Sequence, residues 1–122
     1  MKFIIGGAYQ GKLDYAKTEY GVNDIFVCEG MGIDFSVPCI YGIEKFCLAC
    51  VRQGVEAKEY FADHRSEWEN SILICEDIFC GVVPIEADYR AWREMTGRLC
   101  AYLSAEADTV TRVFCGLPQR LK

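Results

Sequence analysis

Gly6-Gly7-Ala8-Tyr9-Gln10-Gly11-Lys12 (GGAYQGK) decides the fold, because of what stands on either side of it. Before it, residues 2–5 (KFII) form a short apolar run that reads as a buried strand. After it, residues 13–20 are good helix material, closed by Gly21 at a C-cap position. The seven residues fit G-x-x-x-x-G-K, and the motif has meaning only in this strand–loop–helix setting. Glycines let the chain wrap so that successive N–H groups converge on phosphate oxygens. The helix adds the positive end of its dipole, and Lys12 supplies a mobile charge. Residues 6–13 are therefore the candidate nucleotide-binding segment, and Lys12 is the first candidate catalytic residue. Leu13 departs from the motif, since a Ser or Thr hydroxyl there would ligate Mg²⁺. Asp14 follows, and its carboxylate repels a phosphate.

Outward from the loop, strands are expected at 25–28, 72–75 and 109–115, and helices at 13–20, 43–53, 55–68 and 87–105. Residues 30–38 and 76–84 read as loops and the tail from Gly116 as irregular. Apolar strands alternating with helices predict an α/β chain with three layers and a mostly parallel central sheet of the P-loop type. With 122 residues, one domain over 1–122 is expected. A composition 52% hydrophobic and 25% charged excludes disorder.

Eighteen acidic against thirteen basic residues give a net charge of −5, which argues against a general nucleic-acid or membrane-surface binder. No stretch approaches the roughly 18 apolar residues of a membrane span. The apolar start turns at once into glycines, unlike a signal peptide, so a cytoplasmic protein is expected. In that setting the eight cysteines read as reduced and mostly buried. Cys47-x-x-Cys50 lies inside an apolar helical stripe rather than in paired loops, so no metal site is expected. Seven Phe, seven Tyr and two Trp in a small chain suggest apolar surface left for a homo-oligomer.

Gly81-Val82-Val83-Pro84, with Arg90, Arg93-Glu94, Gly97-Arg98 and Leu103, resembles the G-I-V-P…R…R-D…G-R…L stretch of the bifunctional adenosylcobinamide kinase/adenosylcobinamide-phosphate guanylyltransferase family. Ala107-Asp108-x-Val110-x-x-Val113-x-x-Gly116-Leu117-Pro118-x-x-Leu121-Lys122 is similar to that family's closing A-D-x-V-x-x-V-x-x-G-L-P-x-x-L-K. The opening Gly6-Gly7-Ala8-x-x-Gly11-Lys12 resembles its G-G-A-R-S-G-K-S, with Tyr9 and Gln10 in place of Arg-Ser.

The resemblance implies a nucleotide-binding protein of cobalamin biosynthesis, with ATP or GTP as ligand and cobinamide as acceptor. Family members phosphorylate adenosylcobinamide and then transfer GMP through a guanylylated histidine. That histidine lies in a segment which is shorter here, between the first helix and residues 25–28. His64, the sole histidine, comes too late in the chain to take the role and reads as an exposed side chain on a polar helix. Glu29, after the second strand, is the second candidate catalytic residue, as a carboxylate that could organise Mg²⁺. Asp77, after the third strand, takes the place of a family Glu. Arg90 and Arg98 are candidates for anion binding or subunit contact, and Arg93 for surface pairing with Glu94 or Asp88. An alternative keeps the fold but not the chemistry: a non-catalytic nucleotide-binding, regulatory or assembly protein.

Overall fold

The computed structural model describes residues 1–79, 81 and 84–122. Cys80 and the Val82-Val83 pair of the Gly81-to-Pro84 motif lie outside the described residues. In chain order the elements are β1 (Lys2–Gly6), α1 (Lys12–Tyr20), β2 (Ile25–Val27), β3 (Cys39–Tyr41), α2 (Ile43–Gln53), α3 (Ala57–Asp63), α4 (Arg65–Trp68), β4 (Ile72–Glu76), α5 (Ala87–Glu106), β5 (Thr109–Phe114) and β6 (Leu117–Arg120). They build one sheet in the order β2-β3-β4-β1-β5-β6. Every pairing is parallel except that of β5 with β6.

Alternation along the central strands sorts the core into two layers. Phe3, Leu73, Cys75 and Val110 face α2, α3 and α5, meeting Phe46, Phe61, Trp68, Leu99 and Leu103. Ile4, Ile74 and Val113 face the other way, against Ala16 of α1 and Val22. Helices on both faces of a mostly parallel sheet make the three-layer α/β arrangement that the sequence predicts. Among the described residues, no helix is long and apolar enough to cross a membrane.

Three expectations change. Cys39-Ile40-Tyr41 is a strand of three residues, too short between Pro38 and Gly42 to show any period. The tail is not irregular: β6 closes a hairpin whose turn residues, Cys115 and Gly116, have φ of 50° and 74°. Two successive positive φ values suit a two-residue turn with the twist of its strands, and Pro118 is tolerated because β6 is an edge. The helix expected over 55–68 breaks at His64, whose φ and ψ of −107° and 20° are not helical. Trp68 bridges the break by donating its indole N–H to the Phe61 carbonyl at 2.8 Å.

Candidate functional site

The 6–12 loop leaves the sheet at Gly6 in the middle of the molecule, where β1 is flanked by β4 and β5. A Cβ at Gly6 would stand 2.5 Å from the carbonyl oxygen of Val113, so no larger residue fits. Tyr9 and Gly11 take left-handed φ of 58° and 93°, which bends the segment into a cup and starts α1. Lys12, the first residue of α1, is buried, and its Nζ donates to the Gly7 carbonyl at 2.7 Å. One of its three N–H groups is thus used to brace the loop.

The loop opens on a cleft of about 480 Å³. Residues 8–14 form one wall, and Tyr41, Glu44, Lys45 and Glu76 form the other. Parallel register places Glu76 opposite Gly6. The Glu76 backbone N–H donates to Glu44 Oε1 at 2.8 Å, and the Trp92 indole N–H donates to the Glu44 carbonyl at 2.6 Å. These bonds hold Glu44, itself buried, at the start of α2 beneath the cleft. The Tyr41 hydroxyl has its pKa raised, first by burial and then by Glu44, Glu76 and Tyr9. Two lysines, Lys12 and Lys45, and three carboxylates, Asp14, Glu44 and Glu76, thus line one space.

Several sequence candidates fall elsewhere. Glu29 does not stand beside the loop, because β3 and β4 separate β2 from β1. It lines a different cleft, with Lys45 and Arg52. The strand-end carboxylate next to the loop is Glu76, one residue before Asp77. Asp77 donates its backbone N–H to the Gly6 carbonyl at 2.7 Å and accepts from Phe79 N–H at 3.0 Å, so it shapes the turn after β4. Arg90 donates to the Pro84 and Ile85 carbonyls and Arg93 to that of Phe79, both across the start of α5. Arg98 makes a two-pronged pair with Glu56 at 3.0 and 3.1 Å. None of these arginines lines the loop's cleft.

His64 is half-buried rather than exposed. Its ring lies 4.3 Å from that of Tyr60 and 5.7 Å from that of Phe35, with Nδ1 2.7 Å from the Tyr60 carbonyl. Cys115 is exposed on the hairpin turn instead of buried, whereas Cys28, Cys39, Cys47, Cys50, Cys75 and Cys100 are buried. Burial pushes the Cys28 thiol up to about 12 and those of Cys39 and Cys50 up to about 11. Leu13 packs its side chain against the Ile4, Ala16 and Val113 layer while its edge lines the cleft.

What sequence reasoning missed was Glu44, Tyr41 and Glu76. Glu76 was reachable as the polar residue ending the ILIC run. Glu44 carries no local signal, since its burial arises from β4 and α5 folding over it.

A glycine-rich cup between a central parallel strand and a helix, with a buried lysine at the helix start, defines a P-loop-type α/β protein. A family model described as cobinamide kinase / cobinamide phosphate guanyltransferase matches residues 48–121, from within α2 to the end of the hairpin, and the chain belongs to that family. The matched stretch includes Glu76 and the turn that abuts the loop, while the 6–12 segment precedes it. Among curated proteins, no relative matches.

Proposed function

We propose that this chain binds the phosphates of a nucleoside triphosphate, ATP or GTP, on the 6–12 loop, as a cobinamide kinase/guanyltransferase-like protein of cobalamin biosynthesis. The observation that carries this is Lys12, buried at the base of a cup opening on a 480 Å³ cleft. A buried ammonium needs a partner. The Gly7 carbonyl supplies one, and a phosphate oxygen would supply a charged one. Loop amides and the α1 dipole act on phosphate charge without a metal.

The nucleotide's Mg²⁺ fits this donor set poorly. Leu13 turns an apolar side chain into the packed layer where the motif needs a hydroxyl, and among the described residues no three His, Cys, Asp or Glu side chains group to hold a metal. No step is assigned through it. The same feature favours a second reading, in which nucleotide binding persists and phosphoryl transfer is lost. Guanylylation by the family's route is not expected, because the carrier histidine has no counterpart.

Calorimetric titration of ATP and GTP, with and without Mg²⁺, tests the proposal. Lys12→Ala removes one charge-assisted contact of about 1.5–3 kcal/mol and should weaken binding roughly ten- to a hundredfold. No heat with either nucleotide up to millimolar concentration would defeat it.

A further inference from the structure

Two of the buried thiols touch. Cys75, near the end of β4, and Cys100, in the second half of α5, have their sulfur atoms 3.7 Å apart where the sheet meets the helix. The hydrogen bonds give the pair a direction. Cys100 donates its S–H to Cys75 Sγ, while Cys75 donates its own to the Glu76 carbonyl at 3.5 Å. A lone pair of Cys75 therefore faces the Cys100 sulfur, the orientation in which one sulfur attacks the other. Cys100 is 8% exposed and Cys75 is fully enclosed, so a small oxidant reaches Cys100 first. Cys47 of α2 is a neighbour of both and is the rival partner.

We propose that Cys75 and Cys100 are a redox-sensitive pair, which a peroxide converts into a disulfide that staples β4 to α5. The Cys100 sulfur attacks one peroxide oxygen, the O–O bond breaks, and the departing hydroxide takes the Cys100 proton as water. Cys100 is then a sulfenic acid, oxidised by two electrons. Cys75 attacks the Cys100 sulfur, the S–O bond breaks, and the second hydroxide leaves with the Cys75 proton. Two thiols and one peroxide thus give one disulfide and two waters. The sulfurs close from 3.7 Å to a bond of about 2 Å, which rotation of the two side chains supplies. The neighbouring Cys100 and burial together hold the Cys75 thiol well above its ordinary value, so thiolate is scarce and the step is slow. The stapled junction is the one that holds Glu44. Cys75 precedes Glu76, whose N–H donates to Glu44 Oε1, and Trp92, on the same helix as Cys100, donates to the Glu44 carbonyl. The pair acts whether or not the neighbouring cleft takes a nucleotide.

Treating the folded chain with hydrogen peroxide, then alkylating it in denaturant and mapping its peptides, tests the pair. A Cys115→Ala background keeps the exposed thiol from linking two chains. The Cys75 and Cys100 peptides should appear joined and two hydrogens lighter than their sum. The bond closes a loop across 25 positions of the chain, so Tm should rise by roughly 5–15 °C. Amide exchange at Glu76 should slow about tenfold, and dithiothreitol should reverse all three changes. Cys100→Ala should abolish them. If that variant does not fold, peptide mapping of the chain with both thiols decides alone. The proposal is overturned if both thiols are still alkylated after oxidation, if Cys47 is linked in place of either, if the bond forms only in denaturant, or if Tm falls.

Discussion

The Gly116 N–H donates to the Gln10 carbonyl at 2.9 Å, and the neighbouring Cys115 N–H donates to Gln10 Oε1. Gln10 thus holds both residues of the β5–β6 turn against the phosphate loop, and a Cβ on Gly11 would lie 3.4 Å from the Gly116 Cα. The hairpin is the outer wall of the loop. Tyr9 and Gln10 are both uncharged, so the loop's shape here depends on a neutral clamp.

Gln10→Ala removes the side-chain half of the clamp, worth about 1 kcal/mol. Amide exchange at Cys115 should quicken roughly fivefold, and ATP affinity should fall by a similar factor as the cup loosens. Gln10→Glu keeps an acceptor for Cys115 and should restore slow exchange. Exchange unchanged in Gln10→Ala would show that the turn stands without it.

Gly6→Ala tests the loop's exit from the sheet. The added methyl would meet the Val113 carbonyl at 2.5 Å, an oxygen fixed in a paired strand. Overpacking of this kind costs about 1–3 kcal/mol, or a fall in Tm of roughly 3–12 °C for a chain of this size. Gly30→Ala, with nothing within 4 Å of its Cβ, is the control and should leave Tm nearly unchanged.

Much of this was legible in advance because β1 and β4 hold continuous apolar runs, β5 is rich in β-branched residues, and the motif lies between β1 and α1. The wall opposite the loop was not. Glu29 is a candidate because it follows the second expected strand, and β3, together with β4, is what separates that strand from β1. Strand order is a property of long-range pairing, which neither propensity nor period encodes. Similarly, β6 was hidden by Pro118 and by full exposure of all four residues, which erases any alternation.

Charge across the cleft gives the next expectation. Glu76 faces the loop, and among the described residues no group of three ligating side chains could hold a metal to balance it, so it repels bound phosphate. Glu76→Gln should tighten ATP binding roughly three- to tenfold at low salt, with the gain shrinking above about 0.5 M salt. Weaker binding in this variant would mean that the carboxylate recruits a cation.

Alkaline pH should destabilise the fold. Cys39 and Cys50 are pushed up to about 11 and Cys28 up to about 12, all by burial first, from an ordinary thiol value of 9.0. A raised folded-state value leaves stability complete below about pH 9 and removes it as pH climbs towards 11, because the unfolded chain ionises first. Burial raises Tyr15 and Tyr60 as well, which extends the fall. Urea midpoints at pH 8 and 10.5 check the direction, and a flat profile would contradict it. At pH 8 a thiol reagent should modify Cys115 well before Cys28, Cys39 or Cys50.

Leu13 sets the dependence on magnesium. Its side chain belongs to the layer of Ile4, Ala16 and Val113, so the native loop offers phosphate its amides and Lys12 but no hydroxyl for a metal. ATP affinity in the native chain should therefore change less than about threefold when Mg²⁺ is removed. Leu13→Ser exchanges packing for a ligand. Losing the half-buried branched side chain should cost about 1–2 kcal/mol of stability, visible as a lower Tm. In return, with Glu76 across the cleft as a second oxygen donor, Mg²⁺ should strengthen ATP binding roughly tenfold. Titrations of both proteins with and without the metal separate the two contributions. A tenfold gain from Mg²⁺ already in the native protein would show that Glu44 and Glu76 hold the cation and that the hydroxyl is dispensable here, and no gain in Leu13→Ser would show that the hydroxyl does not recruit it.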